Sequence, residues 1–235
     1  TRFGTPGARI ESATGSITLD GLWNYDNFTQ RGDARDKKLH FNFDATFRGG
    51  WNVGTSVLYE TFGYDPEFYG PRLRVEAPRL GGGLDTLPFT GTPRLPNRDY
   101  VIRLTSPRFK YFQLSSFFIW GIDENFYEWA SADILYASVT LNVRPSERLR
   151  IDGSWQLQQF ARRTDGSLVG ILRNPRMKVE YQVSRPFFVR VIGEYFAESV
   201  DALRDDSRTG YPLLRLNGAG TFVSTTATTS NSVLS

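Results

Sequence analysis

The chain has 235 residues, 28 Lys and Arg against 25 Asp and Glu, a net charge of +3, one histidine and no cysteine. The missing cysteine excludes thiolate metal centres and a disulfide framework, and the lone His40 leaves few routes to zinc or triad chemistry. The scattered, nearly balanced charge excludes a nucleic-acid-binding stripe, and no apolar run is long enough for a transmembrane helix.

Residues 1–12 carry Gly4, Pro6 and Gly7 and are expected to form a turn or loop. From Ile17 to Asp26 apolar and polar residues alternate, with Ile17, Leu19, Trp23 and Tyr25 on one side. Such a period of two marks a strand with one apolar face. A polar loop is expected over 27–37. The next strand has the cleanest pattern in the chain: Leu39, Phe41, Phe43, Ala45 and Phe47 face one way, and Lys38, His40, Asn42, Asp44 and Arg48 the other. Gly49-Gly50 permits a sharp reversal, after which Trp51, Val53, Val57 and Tyr59 continue the apolar face.

Residues 62–98 break this rhythm with six prolines and Gly81-Gly82-Gly83, and are expected to form one long loop, folded over or into the mouth of a barrel. Its aromatics Phe62, Tyr64, Phe68, Tyr69 and Phe89 are read as loop packing in preference to a sugar-stacking surface. Alternation resumes at Tyr100, Ile102 and Leu104, then at Phe112 to Trp120, Leu135 to Val143 and Leu149 to Leu157. The intervening segment Asp123 to Trp129 is expected to be a loop whose acids Asp123, Glu124 and Glu128 are solvated, since their spacing fits no metal-ligand pattern. A loop over 162–174 leads to a hairpin. In it Met177, Val179, Tyr181 and Val183, then Phe187, Val189, Val191 and Tyr195, form apolar faces about the Ser184-Arg185-Pro186 break. Residues 221–235 read as a polar Ser/Thr-rich tail.

Nine to ten strands in a meander follow from this pattern. The expected breaks at 48–50, 106–108, 144–147 and 184–186 are short. Those at 27–37, 62–98, 122–130, 162–174 and beyond 198 are longer. Short turns at one rim and long loops at the other are the arrangement of outer-membrane β-barrels. Phe47, Trp51 and Phe187 lie beside short turns, and Tyr59, Trp120 and Tyr195 near long loops, as lipid-girdle aromatics would. Phe41, Phe43 and Trp155 fall nearer mid-strand. The opposite face carries His40, Asp44, Arg103, Arg148, Arg150, Asp152, Arg176, Lys178, Glu180, Arg190 and Glu194, the candidates to line a lumen, either as a selectivity surface or as a salt-bridged filling. A soluble antiparallel sandwich would also alternate, but its strands are typically shorter.

The pieces Arg144-Pro145-Ser146-Glu147-Arg148-Leu149-Arg150, Arg163-Thr164-Asp165-Gly166, Pro175-Arg176 with Lys178, Tyr181-Gln182, Arg185-Pro186 with Phe188 and Arg190, and Ala202 to Thr209 give residues 144–209 a family likeness. This stretch resembles a bacterial outer-membrane β-barrel family of uncharacterised function. Its members look like a carbohydrate-binding-module-like sandwich of the family-nine type followed by a large barrel. The resemblance implies that residues 1–235 are an interior section of a longer chain. The family offers no established catalytic residues, so none is carried over.

The expected protein is therefore an all-β, antiparallel up-and-down transmembrane β-barrel, or a section of one, forming a single domain over 1–235. The expected localisation is the bacterial outer membrane. Its expected partners are outer-membrane lipid and carbohydrate or a carbohydrate-binding domain, with no nucleic acid. No catalytic residue, metal or cofactor is expected. The expected role is solute passage or surface capture, the alternatives being a non-conducting scaffold or an outer-membrane hydrolase.

Overall fold

The computed structural model describes residues 2–30 and 32–234. Thr1, Arg31 and Ser235, which belong to the expected loops and tail, lie outside the described residues. The chain begins with β1 (Arg2–Phe3) and β2 (Ile10–Leu22), followed by the short helix α1 (Tyr25–Thr29). Next come β3 (Asp36–Phe47), β4 (Trp51–Gly63), the single-turn helix α2 (Pro66–Tyr69), β5 (Leu73–Pro78) and β6 (Leu84–Pro88). The central section is β7 (Arg94–Thr105), β8 (Phe112–Asn125), β9 (Ala130–Val143) and β10 (Leu149–Arg162). The last section is β11 (Leu168–Ser184), β12 (Phe187–Val200), β13 (Leu213–Leu216), β14 (Phe222–Ser224) and β15 (Thr228–Leu234).

Eleven of these strands form one antiparallel sheet, in the order β1-β2-β3-β4-β7-β8-β9-β10-β11-β12-β15. Apart from the two excursions that leave and return, sequence neighbours are sheet neighbours, which is an up-and-down meander. All nine strands expected from alternation are present, as β2, β3, β4 and β7 to β12. Among the described residues β1 and β15 are the sheet edges, and no pairing joins them.

The two faces differ in chemistry. On one, Leu39, Phe41, Val57, Tyr100, Trp120 and Leu135 fall in neighbouring positions on successive strands. This apolar face is left open to the surroundings: Leu19 is 78%, Val191 63% and Tyr59 47% exposed. Among the described residues no second sheet covers it. Of the six girdle candidates, Tyr59, Trp120, Phe187 and Tyr195 are exposed and Phe47 and Trp51 half-buried. Phe47 and Trp51 pair across the turn at Gly49-Gly50, whose φ angles of 90° and 86° suit glycine. The first charged residues on this face as it approaches the long-loop rim are Lys37, Arg98, Asp133 and Arg173.

The other face carries the charges and, at the long-loop rim, a cap. Four short strands make a second sheet, in the order β14-β13-β5-β6, drawn from the segment between β4 and β7 and the segment between β12 and β15. Leu73 and Val75 of β5 and Leu213 of β13 pack with Tyr69, Phe89, Trp129 and Leu203 on Leu95, Ala132, Phe160 and Val169 of the large sheet. The cap and the large sheet thus share one buried core, which lies at one rim of the large sheet.

Several expected loops prove to be strands. Residues 62–98 are not one loop: they contain α2, β5, β6 and the first turns of pairing in β7. The prolines are accommodated at places that need no donor. Pro66 begins α2, Pro78 and Pro88 end β5 and β6, and Pro96 lies where β7 pairs only with β4, since pairing with β8 starts at Arg98. The polar tail at 221–235 contains β14 and β15, and β15 pairs with β12 from Val200 to Glu194. The expected loop at 162–174 shrinks because β11 starts at Leu168, and that at 122–130 shrinks to the four residues between β8 and β9. Residues 1–12 include β1 and the start of β2, and 27–37 include the end of α1 and the start of β3.

Candidate functional site

All eleven lumen candidates except Arg148 lie on strands, on the charged face. Nine of the eleven are engaged in ion pairs, and His40 hydrogen-bonds to Glu60. Arg190 meets Glu180 at 2.8 Å across the β11–β12 hairpin, and Arg176 meets Glu194 at 3.6 Å. Asp152 is shared between Arg150, at 3.0 Å, and Lys178, at 2.7 Å. Arg103 reaches Asp44 at 3.3 Å across β4 because Gly54 lies between them, and a Cβ there would stand 2.5 Å from the Asp44 carboxylate. His40 Nε2 lies 2.5 Å from Glu60 Oε1. Arg148 sits in the turn before β10, where it lines a cavity of about 660 Å³ at the short-turn rim with Lys110, Arg144 and Arg150. The charged face is therefore a salt-bridged surface with interleaved signs. Each exposed pair contributes under about 1 kcal/mol, so its effect is on register and polarity more than on stability.

The buried polar chemistry lies at the long-loop rim, and the expectation of solvated acids there is corrected. Glu128 is fully buried, Glu124 is 5% exposed and Asp123 is half-buried. Glu128 accepts three hydrogen bonds from the Arg162 guanidinium, at 3.1, 3.1 and 2.5 Å, one from the Arg204 backbone N–H at 2.9 Å and one from Asn125 Nδ2 at 3.1 Å. Arg162 also donates to Ser167 Oγ, Asp201 Oδ2 and the Ala202 carbonyl. Burial pushes the Glu128 carboxyl above the usual carboxylate range against the pull of Arg162. The hydrogen bond from Arg162 holds Asp201 below that range, so its contribution is present at neutral pH and fades as acid protonates it. This clasp ties the β8–β9 turn, the end of β10 and the segment after β12 into one unit. Sequence reasoning missed Arg162 because it falls at the end of a strand, beyond the alternating stretch.

The loop aromatics pack on the buried core, and several of them also line a cavity. Tyr69 and Phe89 are buried around Trp129, with Tyr64 and Tyr69 stacked at 5.7 Å, so packing accounts for them. Burial raises the Tyr69 hydroxyl well above the ordinary tyrosine range, which keeps it a neutral donor to the Phe126 carbonyl. Phe62, Phe68, Tyr69 and Trp129 also line a cavity of about 250 Å³ together with Phe126, Arg35, Asp36, Asp65 and Glu124. Phe68 and Phe126 are exposed, and Arg72 stacks on Phe68 at 3.9 Å. Aromatic faces beside carboxylates and a guanidinium suit a neutral polar ligand that offers both an apolar face and hydroxyls.

Beside this cavity, carboxylate oxygens of Glu60, Asp99 and Asp123 converge within 4.8 Å of one another. Asp99 could have been found by running the alternation of β7 two residues back from Val101, which places Asn97, Asp99 and Arg103 on one face. No family model matches the chain, and no curated protein or solved structure matches it.

Proposed function

We propose that the protein is a section of a bacterial outer-membrane β-barrel that captures a solute at its capped mouth. The observation that carries this reading is the uncovered apolar face on a large sheet whose other face is charged and capped. Water is a poor solvent for such a face, and a contiguous apolar surface of this extent marks contact with lipid or a partner. The band has the right height for lipid. Phe112 to Trp120 on β8 and Leu135 to Val143 on β9 are nine residues each, against the roughly 9–11 that cross a bilayer obliquely. The charges Lys37, Arg98, Asp133 and Arg173 begin where the band ends. The resemblance of residues 144–209 to an outer-membrane barrel family points the same way.

The cap favours capture over free passage, because its core is seated on the charged face at the rim where an open pore would have its mouth. The ligand class that fits the aromatic and acidic cavity at this rim is a saccharide, delivered directly or by a carbohydrate-binding partner domain. Recording the reconstituted protein in a planar bilayer while titrating neutral oligosaccharides tests this. Silence in conductance with saturable sugar binding that Phe126→Ala weakens is the expected result. Steady channels without sugar binding would make it a pore.

A further inference from the structure

The carboxylate cluster sits where β4, β7 and β8 run side by side. Glu60 pairs with Asn97 in register, and Asp99 lies opposite Gly121 two residues before Asp123. Gly121 has φ +146°, and a Cβ there would stand 2.8 Å from Asp99 Oδ1 and 2.3 Å from the Arg98 carbonyl. The glycine thus leaves the space beside Asp99 clear.

Asn97 is inserted among the acids. Its Nδ2 donates to Asp123 Oδ1 at 2.5 Å and to Glu124 Oε2 at 2.8 Å. This turns Asn97 Oδ1 into a buried acceptor with no donor, in a side chain only 5% exposed. Asp99 Oδ1 is likewise without a donor, in a side chain 1% exposed. Lys38 stands opposite Glu60 in register, with its ammonium 5.0 Å from the centre of the Phe62 ring, and His40 Nε2 lies 2.5 Å from Glu60 Oε1. Buried acceptors are normally satisfied. Here the surplus is of oxygen acceptors beside clustered carboxylates, and a bound cation would both satisfy such acceptors and offset the negative charge.

We propose that Glu60, Asp99 and Asp123 form a binding site for a hard divalent cation of the calcium class, with the unpaired, buried Asp99 Oδ1 at its centre. An all-oxygen donor set selects hard ions, and calcium holds ligands at about 2.3–2.6 Å, so ligands across the ion stand about 5 Å apart. The three carboxylate oxygens, all within 4.8 Å of one another, fall inside that limit. The ion would cross-link three strands at the rim that carries the cap, beside the Glu124 that lines the aromatic cavity. This goes beyond the capture reading and does not depend on it.

The test is calcium chloride titrated into the purified full chain in detergent by isothermal titration calorimetry, with thermal unfolding in calcium and in EDTA. One calcium per chain and a higher Tm in calcium are expected. Asp99→Asn should weaken binding at least tenfold and abolish the calcium-dependent rise in Tm. Its Tm in EDTA should equal or exceed that of the parent, because a like charge has been removed. Asp123→Asn supplies a second variant with the same expectation. Asp44→Asn, an acid of the same face outside the cluster, should bind as the parent does. The proposal is overturned if the parent shows no calcium heat and one Tm in both buffers, or if Asp99→Asn and Asp123→Asn bind calcium like the parent. It is also overturned if Asp44→Asn loses binding equally, which would signify diffuse surface binding.

Discussion

Replacing Arg162 with alanine is expected to destabilise the protein by about 3–5 kcal/mol, the cost of stranding a buried charge when its partner is removed. The magnitude follows from geometry. Arg162 is 2% exposed and Glu128 fully buried, and the guanidinium supplies three of the five hydrogen bonds that Glu128 accepts. Without it a carboxylate remains in a dry site with only Asn125 and one backbone N–H as donors. Urea unfolding followed by tryptophan fluorescence would measure the loss. The double variant Arg162→Met with Glu128→Leu should recover part of it, since a paired apolar replacement strands no charge. Arg150→Ala, which breaks a half-exposed pair with Asp152 while Lys178 remains as its partner, should cost less than about 1 kcal/mol. A loss at Arg162 no larger than at Arg150 would show that the clasp is solvated.

Trp129→Ala is expected to release the cap while leaving the large sheet paired. Trp129 is 4% exposed, packs against Tyr64 and Tyr69, and donates its indole N–H to the Thr92 carbonyl at 2.7 Å. Truncating a buried tryptophan costs about 3–5 kcal/mol. Here the loss falls on the contact between cap and sheet, because Trp129 lies in the turn between β8 and β9 and not within the strand ladders. Its φ of 50° is unfavourable for a bulky residue, so packing must hold it there, and alanine retains that backbone strain without the packing. Limited proteolysis should therefore cut Trp129→Ala within 64–93 under conditions where the parent resists, with fragments from β8 to β12 surviving. Simultaneous cleavage throughout would mean that cap and sheet unfold as one unit.

The strands most legible in the sequence were those whose two faces meet different surroundings. The run from Leu39 to Phe47 announces β3 because every second residue is apolar and the rest are not. That contrast fades toward the long-loop rim, where the cap covers the charged face and charges enter the apolar one. Leu168 to Asn174 of β11 therefore reads as a mixed loop, although it continues the same ladder with β10. β15 was hidden for a different reason. Thr228 to Ser232 alternates no polarity, and its placement depends on β12 offering an unpaired edge. The cap strands β5 and β6 are short and end in proline, so local punctuation outweighed a pairing that costs no donor at those ends.

The buried chemistry was less legible than the strands. Glu60, Asp99 and Asp123 are far apart in the chain and meet only through the register of β4, β7 and β8. Glu128 and Arg162 converge because the β8–β9 turn folds back over the end of β10. No spacing rule links such positions. The lumen candidates, by contrast, follow from strand parity alone, and their pairing into ion pairs follows from opposite charges set across from each other, as Glu180 is from Arg190.

Lipid contact at the apolar face is what Trp155 reports on directly. This residue lies midway along β10 on that face and is 39% exposed, whereas Trp129 is buried under the cap. Two single-tryptophan variants, reconstituted in phosphatidylcholine vesicles whose acyl chains are brominated at mid-depth, would separate the two surroundings. Strong quenching of Trp155 with little quenching of Trp129 is the predicted result. Trp155 emission that is unaffected by brominated lipid but quenched by aqueous iodide would contradict the account.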